Sequence, residues 1–354
     1  MSEAVPKGRG SNLDLDSRFL DWQREPFDDG WDGADDAPAP ATTLSIDSAR
    51  TVITYNQSPD IPFDRSINPY RGCEHGCAYC FARPSHAWLG LSPGLDFETR
   101  LSYKPDAAAT LRRELAAPRY RCAPIALGVN TDAYQPVERQ LGLTREILRV
   151  LRDSHHPVSI ITKSALIERD IDLLAELARE RLVKVMVSVT TLQPALARTL
   201  EPRAARPARR LQTVRALAEA GVPVGVLCAP LIPALNDHEI EALLDAAAAH
   251  GAGSAGYILL RLPREVLPIF ERWLAEHAPE RAARVMSLLR QSREGRANDP
   301  RFGHRMRGSG PFVAVYKQRF DLACRRLGLG ARGDALDSTR FIPPTADSGQ
   351  RSLF

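Results

Sequence analysis

Residues 71–80 read Arg71-Gly72-Cys73-Glu74-His75-Gly76-Cys77-Ala78-Tyr79-Cys80, three cysteines in a CxxxCxxC spacing with an aromatic residue just before the third. Three thiolates this close hold three irons of a [4Fe-4S] cube and leave the fourth iron without a protein ligand, open for chemistry. A zinc site is the alternative, with His75 or His86 as the fourth ligand. Zinc ligands usually come as two separated CxxC-like pairs, whereas Cys122, Cys228 and Cys324 are isolated. Disulfides within the trio would close strained small loops.

The spacing resembles the signature of the radical S-adenosylmethionine (SAM) enzymes. The resemblance implies a [4Fe-4S] cluster on Cys73, Cys77 and Cys80, with SAM on the open iron, Tyr79 packing beside the cluster, and reductive cleavage of SAM to a 5′-deoxyadenosyl radical.

The flanking sequence fits such a site. β-branched runs at 125–129, 158–161, 183–189, 222–227 and 256–260, and one ending near Ile67, alternate with amphipathic helical patterns at 107–117, 138–153, 167–181, 207–220, 237–250 and 264–277. Six βα units in series predict a parallel α/β architecture with right-handed crossovers, closing into a barrel or part of one. Radical SAM domains are typically partial (β/α)6 barrels of TIM-like type, so pattern and motif agree.

Chemistry in such a barrel sits at the C-terminal strand ends. The turn Asn130-Thr131-Asp132 offers acceptors for an ammonium, Lys163 in Thr162-Lys163-Ser164 offers a cation for a carboxylate, Ser188 offers a hydroxyl for a ribose, and Cys228-Ala229-Pro230 offers backbone for an adenine edge. Each has a plainer reading: Thr131 and Asp132 as helix caps, Lys163 as a surface residue, Ser188 as a satisfied strand residue.

Together with Leu200-Glu201-Pro202-Arg203, Arg210-Leu211, 221–225 and 229–237, these residues resemble the radical SAM branch containing spore photoproduct lyase and the DNA repair photolyase-like proteins, and within it a bacterial subgroup whose reaction is not established. Gly8-Arg9-Gly10 and Arg18-Phe19 fit the subgroup too. The resemblance implies SAM contacts at Thr131, Asp132, Lys163 and Ser188. It also marks a departure. The lyase carries a radical-quenching Cys before its Ser/Thr-Asp turn, where this chain has Val129 and Asn130; Cys228 is the other Cys expected near the mouth.

The 354 residues carry a net charge of +4, unevenly placed. Residues 1–50, with five Lys/Arg against eleven Asp/Glu, are expected to be a flexible acidic segment; residues 51–277 the partial barrel; residues 278–354 a basic, mostly helical extension and tail. Arg203, Arg206, Arg209 and Arg210, and a second cluster from Arg290 to Arg307, make nucleic acid a candidate partner. The tail Gln350-Arg351-Ser352-Leu353-Phe354 resembles the QLxLF peptide that binds the bacterial sliding clamp. An electron donor such as flavodoxin or ferredoxin is implied. No apolar run is long enough to span a membrane and the first twenty residues are polar, so a cytoplasmic location is expected. The two functional classes are a radical SAM enzyme, acting on a nucleic acid for repair or modification, and a non-catalytic zinc protein that binds nucleic acid.

Overall fold

Runs such as Val183-Lys184-Val185-Met186-Val187 bury alternate valines completely, each worth roughly 1.5–3 kcal/mol in a sheet covered on both faces. The computed structural model describes residues 8–11, 13–20, 41–330 and 335–345. Ten strands occur among them: β1 (Thr43–Ile46), β2 (Ile53–Tyr55), β3 (Arg65–Ile67), β4 (Tyr70–Arg71), β5 (Arg100–Tyr103), β6 (Ile125–Leu127), β7 (Val158–Thr162), β8 (Val183–Ser188), β9 (Val224–Leu231) and β10 (Ser254–Leu259).

The main sheet runs β10-β9-β8-β7-β6-β3-β2. Its neighbours from β3 through β10 are all parallel, and β2 joins antiparallel on β3. The six expected parallel strands are therefore present in chain order. The sheet stays open, with β10 at one edge and β2 at the other, which is a partial barrel. A second sheet, ordered β1-β5-β4, lies beside the cysteine loop and was not anticipated.

The helices follow the expected pattern with local breaks. The segment expected as one helix over 138–153 divides at Gly142 into Glu138–Leu141 and Leu143–Asp153. That expected from 167 begins as a 3₁₀ turn, Ala165–Asp170, before Ile171–Arg179. The C-terminal extension forms Pro279–Gln291 and Pro311–Leu327. The second packs on the barrel: Val313, Tyr316, Phe320 and Ala323 join the core that holds the strand valines. Arg319 also clamps Glu241 at 2.7 and 2.5 Å.

Candidate active site

The cysteine loop follows β4 and is fixed mainly by its backbone. Cys73 N–H donates to Phe97 O (2.9 Å), Ala78 N–H to Leu200 O (3.1 Å) and Cys80 N–H to Cys77 O (3.2 Å). Buried Gln135 braces the loop: its Nε2 donates to Gly72 O at 3.1 Å and its Oε1 accepts from Glu74 N–H at 2.9 Å. Gly76 stands at φ 65°, and a Cβ there would meet Glu98 Oε2 at 2.6 Å, so the position requires glycine. Beneath the loop Arg83 and Glu98 form a fully buried ion pair at 2.5 Å, and Arg83 Nε also donates to Cys77 O at 3.0 Å. An ion pair this deep is stable only with its remaining donors satisfied, and here the carbonyls of Pro93 and Gly94 accept them.

Part of the N-terminal segment read as flexible is docked on this loop. Arg9 Nη1 donates to Glu98 O at 3.0 Å and Gly10 N–H to Glu98 Oε2 at 2.9 Å. Gly10 lies so close to Gly76 that a Cβ would fall 1.5 Å from its carbonyl oxygen. Ser17 Oγ donates to Ala87 O at 2.7 Å, and the Phe19 ring meets Trp88 at 4.2 Å between centroids. The segment is held by hydrogen bonds to backbone and side chains, the Arg18–Glu265 ion pair and the Phe19–Trp88 ring contact, which its composition did not disclose.

A cavity of about 760 Å³ opens at the strand ends, and Cys73, Cys77, Cys80, Tyr79, Asp132, Lys163 and Ser188 all line it. Asp132 fastens two strand ends together: its carboxylate accepts from Thr162 Oγ1 and Lys163 N–H, both at 2.8 Å, and from Tyr134 N–H at 2.9 Å. His75 Nδ1 lies 3.4 Å from the same carboxylate. Thr131 is buried, donates its hydroxyl to Tyr70 O at 2.8 Å, and does not reach the cavity wall. Of the expected set, then, Lys163 and Ser188 present side-chain groups to the cavity, Asp132 is engaged by the protein, and Thr131 supports the turn from behind.

Lys163 Nζ sits 5.8 Å from the centre of the Tyr79 ring and has no hydrogen-bonded anion among the described residues. Burial pushes its pKa down, but Cys77 and Glu201 outweigh that and raise it. Burial likewise pushes the Cys73 thiol up, and the Cys77 thiol up to about 12 against the opposing pull of Lys163. Metal binding at these thiols would release protons.

Behind Tyr79 runs a buried network through Glu201 and Arg210. The Tyr79 hydroxyl donates to Glu201, Glu201 pairs with Arg210, and Arg210 Nη1 donates to Ser188 O at 3.0 Å. Thr190 Oγ1 donates to Glu201 at 2.7 Å. The network joins the cysteine loop to the end of β8, and its inner members Glu201, Arg210 and Thr190 do not line the cavity. The first arginine cluster, read as a candidate nucleic-acid contact, is largely paired within the protein: Arg210 is buried, Arg203 pairs with Glu74 at 3.0 Å and Arg209 with Glu168 at 2.5 Å. Arg206 remains exposed.

Cys228 also differs from expectation. Leu227 and Ala229 line the cavity, while Cys228 between them faces the opposite side of the sheet, in the main core. The side-chain alternation of a strand requires this. Cavity-lining cysteines are thus confined to the trio among the described residues. The tail 350–354 lies outside the described residues.

The donor set fits a cluster. Three free thiols face one cavity. Ligands of a cube each bind a different iron and need not converge on one point. An open β/α barrel with this site at its strand ends defines the class.

Residues 67–247 match the Radical SAM superfamily. The chain is 40% identical over 233 residues to an uncharacterized protein of Mycobacterium tuberculosis (strain ATCC 25618 / H37Rv), covering 65% of this chain and 68% of the relative. An uncharacterized protein of Methanocaldococcus jannaschii is 29% identical over 173 residues, 49% of this chain and 62% of that one. Among solved structures, spore photoproduct lyase complexed with dinucleoside spore photoproduct aligns with a TM-score of 0.61 at 13% identity, covering 81% of this chain and 80% of that chain. At that identity the likeness is one of fold. The chain belongs to the Radical SAM superfamily, whose cofactors are a [4Fe-4S] cluster and SAM. Among the described residues no helix is long and apolar enough to cross a membrane.

Proposed function

We propose that the protein is a radical SAM enzyme that holds the cluster on Cys73, Cys77 and Cys80, cleaves SAM reductively, and abstracts hydrogen from a nucleic-acid base or sugar. The observation that carries the reading is the sharing of one cavity by three free thiols and the unpaired ammonium of Lys163. When bound and reduced, the cluster supplies the electron that breaks a sulfonium C–S bond.

The chain's own part is binding and exclusion. Lys163 holds the SAM carboxylate, and the Tyr79 ring below fixes the height of that ammonium. Asp132 sets the Lys163 backbone, so it acts as a positioning residue. Ser188 offers its hydroxyl, and the Ala229-Pro230 backbone lines the wall where an adenine edge would lie. Apolar neighbours such as Leu227, Ile258 and Leu260 limit water near a reactive radical. Flavodoxin or ferredoxin is the proposed class of electron donor. The clamp-like tail remains a proposed tether to the replication machinery.

Two measurements test the reading. Anaerobically reconstituted protein should hold about four irons per chain, and Cys77→Ala should not retain them. With dithionite it should convert SAM to methionine and 5′-deoxyadenosine; tight zinc without iron uptake would refute the cluster. Single-stranded DNA or RNA should bind with an affinity that falls steeply with salt, since a base must be exposed to enter the cavity.

A further inference from the structure

The cavity that Lys163 lines holds a second cation that no carboxylate hydrogen-bonds among the described residues. Arg261, two residues past β10, lines the wall with its guanidinium carbon 5.2 Å from the centre of the Phe81 ring. Its hydrogen-bond partner among the described residues is the Met306 sulfur at 3.1 Å, a weak acceptor. Two more guanidiniums stand near. Arg305 is paired with Asp60, and Arg293 is spent on the carbonyls of Leu260 (2.8 Å) and His304 (3.3 Å). Near Arg261 the Asp60 carboxylate is shared between Arg305, which donates a hydrogen bond to it, and Arg261, and Asp299 is bound by Arg301 at 2.7 Å. Burial, Arg305 and Arg293 push the Arg261 pKa down to about 10, outweighing the opposing pull of Asp60.

A guanidinium lying over an aromatic ring keeps its N–H edge free, and that edge forks an oxyanion. Arg261 is half-buried and its nearest carboxylate, Asp60, is hydrogen-bonded by Arg305, so its remaining donors stand open to an incoming anion. We propose that Arg261, seated on Phe81, is the anion subsite of the cavity and binds an oxyanion group of the substrate, phosphate or carboxylate. The proposal rests on the reading of this cavity as the place where substrate reacts. It gives the substrate two ends: an anionic group at Arg261 and the reacting group on the side of Lys163 and the cysteines.

Protection from phenylglyoxal tests this on the full-length, cluster-loaded protein, with labelled arginines mapped by mass spectrometry. The probes are inorganic phosphate, acetate, a dinucleoside monophosphate, the matching free nucleosides, and SAM. We expect phosphate and the dinucleotide to slow labelling of Arg261 at least fivefold while exposed Arg206 is unaffected. Acetate protecting better than phosphate would assign the subsite to carboxylates. Free nucleosides should not protect. Arg261→Gln should weaken dinucleotide binding by about tenfold or more, with Arg261→Lys in between. Labelling of Arg261 that no anion slows, or that SAM alone blocks, would overturn the assignment. The readout needs no turnover, so loss of anion protection at Arg261 and failure of SAM cleavage are separate, distinguishable outcomes.

Discussion

Lys163 Nζ lies above the Tyr79 ring, 5.8 Å from its centre, and the same tyrosine is anchored through its hydroxyl to buried Glu201. The cation offered to the cavity thus faces a ring of the cysteine loop, and that ring is anchored by Glu201 from behind.

Replacing Lys163 by Ala removes one charge-assisted contact to SAM and leaves the backbone bond to Asp132 in place. SAM affinity is expected to fall by ~1.5–3 kcal/mol, roughly ten- to a hundredfold, with little change in thermal unfolding. Calorimetric titration of SAM into the cluster-loaded variant measures it; unchanged affinity would remove Lys163 from the site.

Glu201→Gln leaves buried Arg210 without its carboxylate. Breaking such a pair costs ~3–5 kcal/mol, so a large drop in the urea midpoint is expected, with iron retention falling alongside it. The pair also sets a pH dependence. Burial pushes the Glu201 carboxyl up, but Arg210 and Lys163 outweigh that and hold it well below its ordinary 4.5. A depressed folded pKa gives stability that is fully present above the unfolded value and lost as pH falls toward the folded one. Denaturation of the wild type should therefore steepen below about pH 4.5, and Glu201→Gln should flatten that slope.

The parallel strands and the cysteine loop were legible because their signals are local: β-branched runs, amphipathic helices and a fixed spacing. The support of the loop was not. Glu98 meets Arg83 across 15 residues and Gly10 across 88, and nothing in Phe97-Glu98-Thr99 announces a buried charge. β1 is exposed along its length and lacks the burial signature of a core strand. Arg261 resembled any other arginine in a basic region; only the fold shows that it lines the cavity with no carboxylate hydrogen-bonded to it among the described residues. The single-face alternation of β9 could have placed Cys228 away from the mouth, since Leu227 and Ala229 flank it, but the register of that strand was not fixed by sequence.

Gly10→Ala tests the docked N-terminal segment. A methyl cannot fit 1.5 Å from the Gly76 carbonyl, so residues 8–20 should lift from the loop. Limited trypsin digestion should then cut at Arg9 and Arg18 severalfold faster, and the cluster should lose iron sooner in air because the loop is uncovered. Equal cleavage rates in variant and wild type would show that the segment is not held in solution.

Cys228→Ala addresses the fate of the radical. A thiol that returned hydrogen to a product radical would have to face the cavity, and Cys228 instead packs in the core on the far side of β9, toward Cys324. The substitution removes a sulfur from a tight interior, so a stability loss of about 1–2 kcal/mol is expected. Iron content, SAM affinity and the yield of 5′-deoxyadenosine should stay at wild-type levels. Substrate radicals generated in the variant should partition between products as they do in the wild type, measured by deuterium incorporation into recovered substrate in D₂O. A changed deuterium content at unchanged SAM cleavage would mean that the Cys228 thiol reaches the cavity, and that β9 shifts its register when the site is filled.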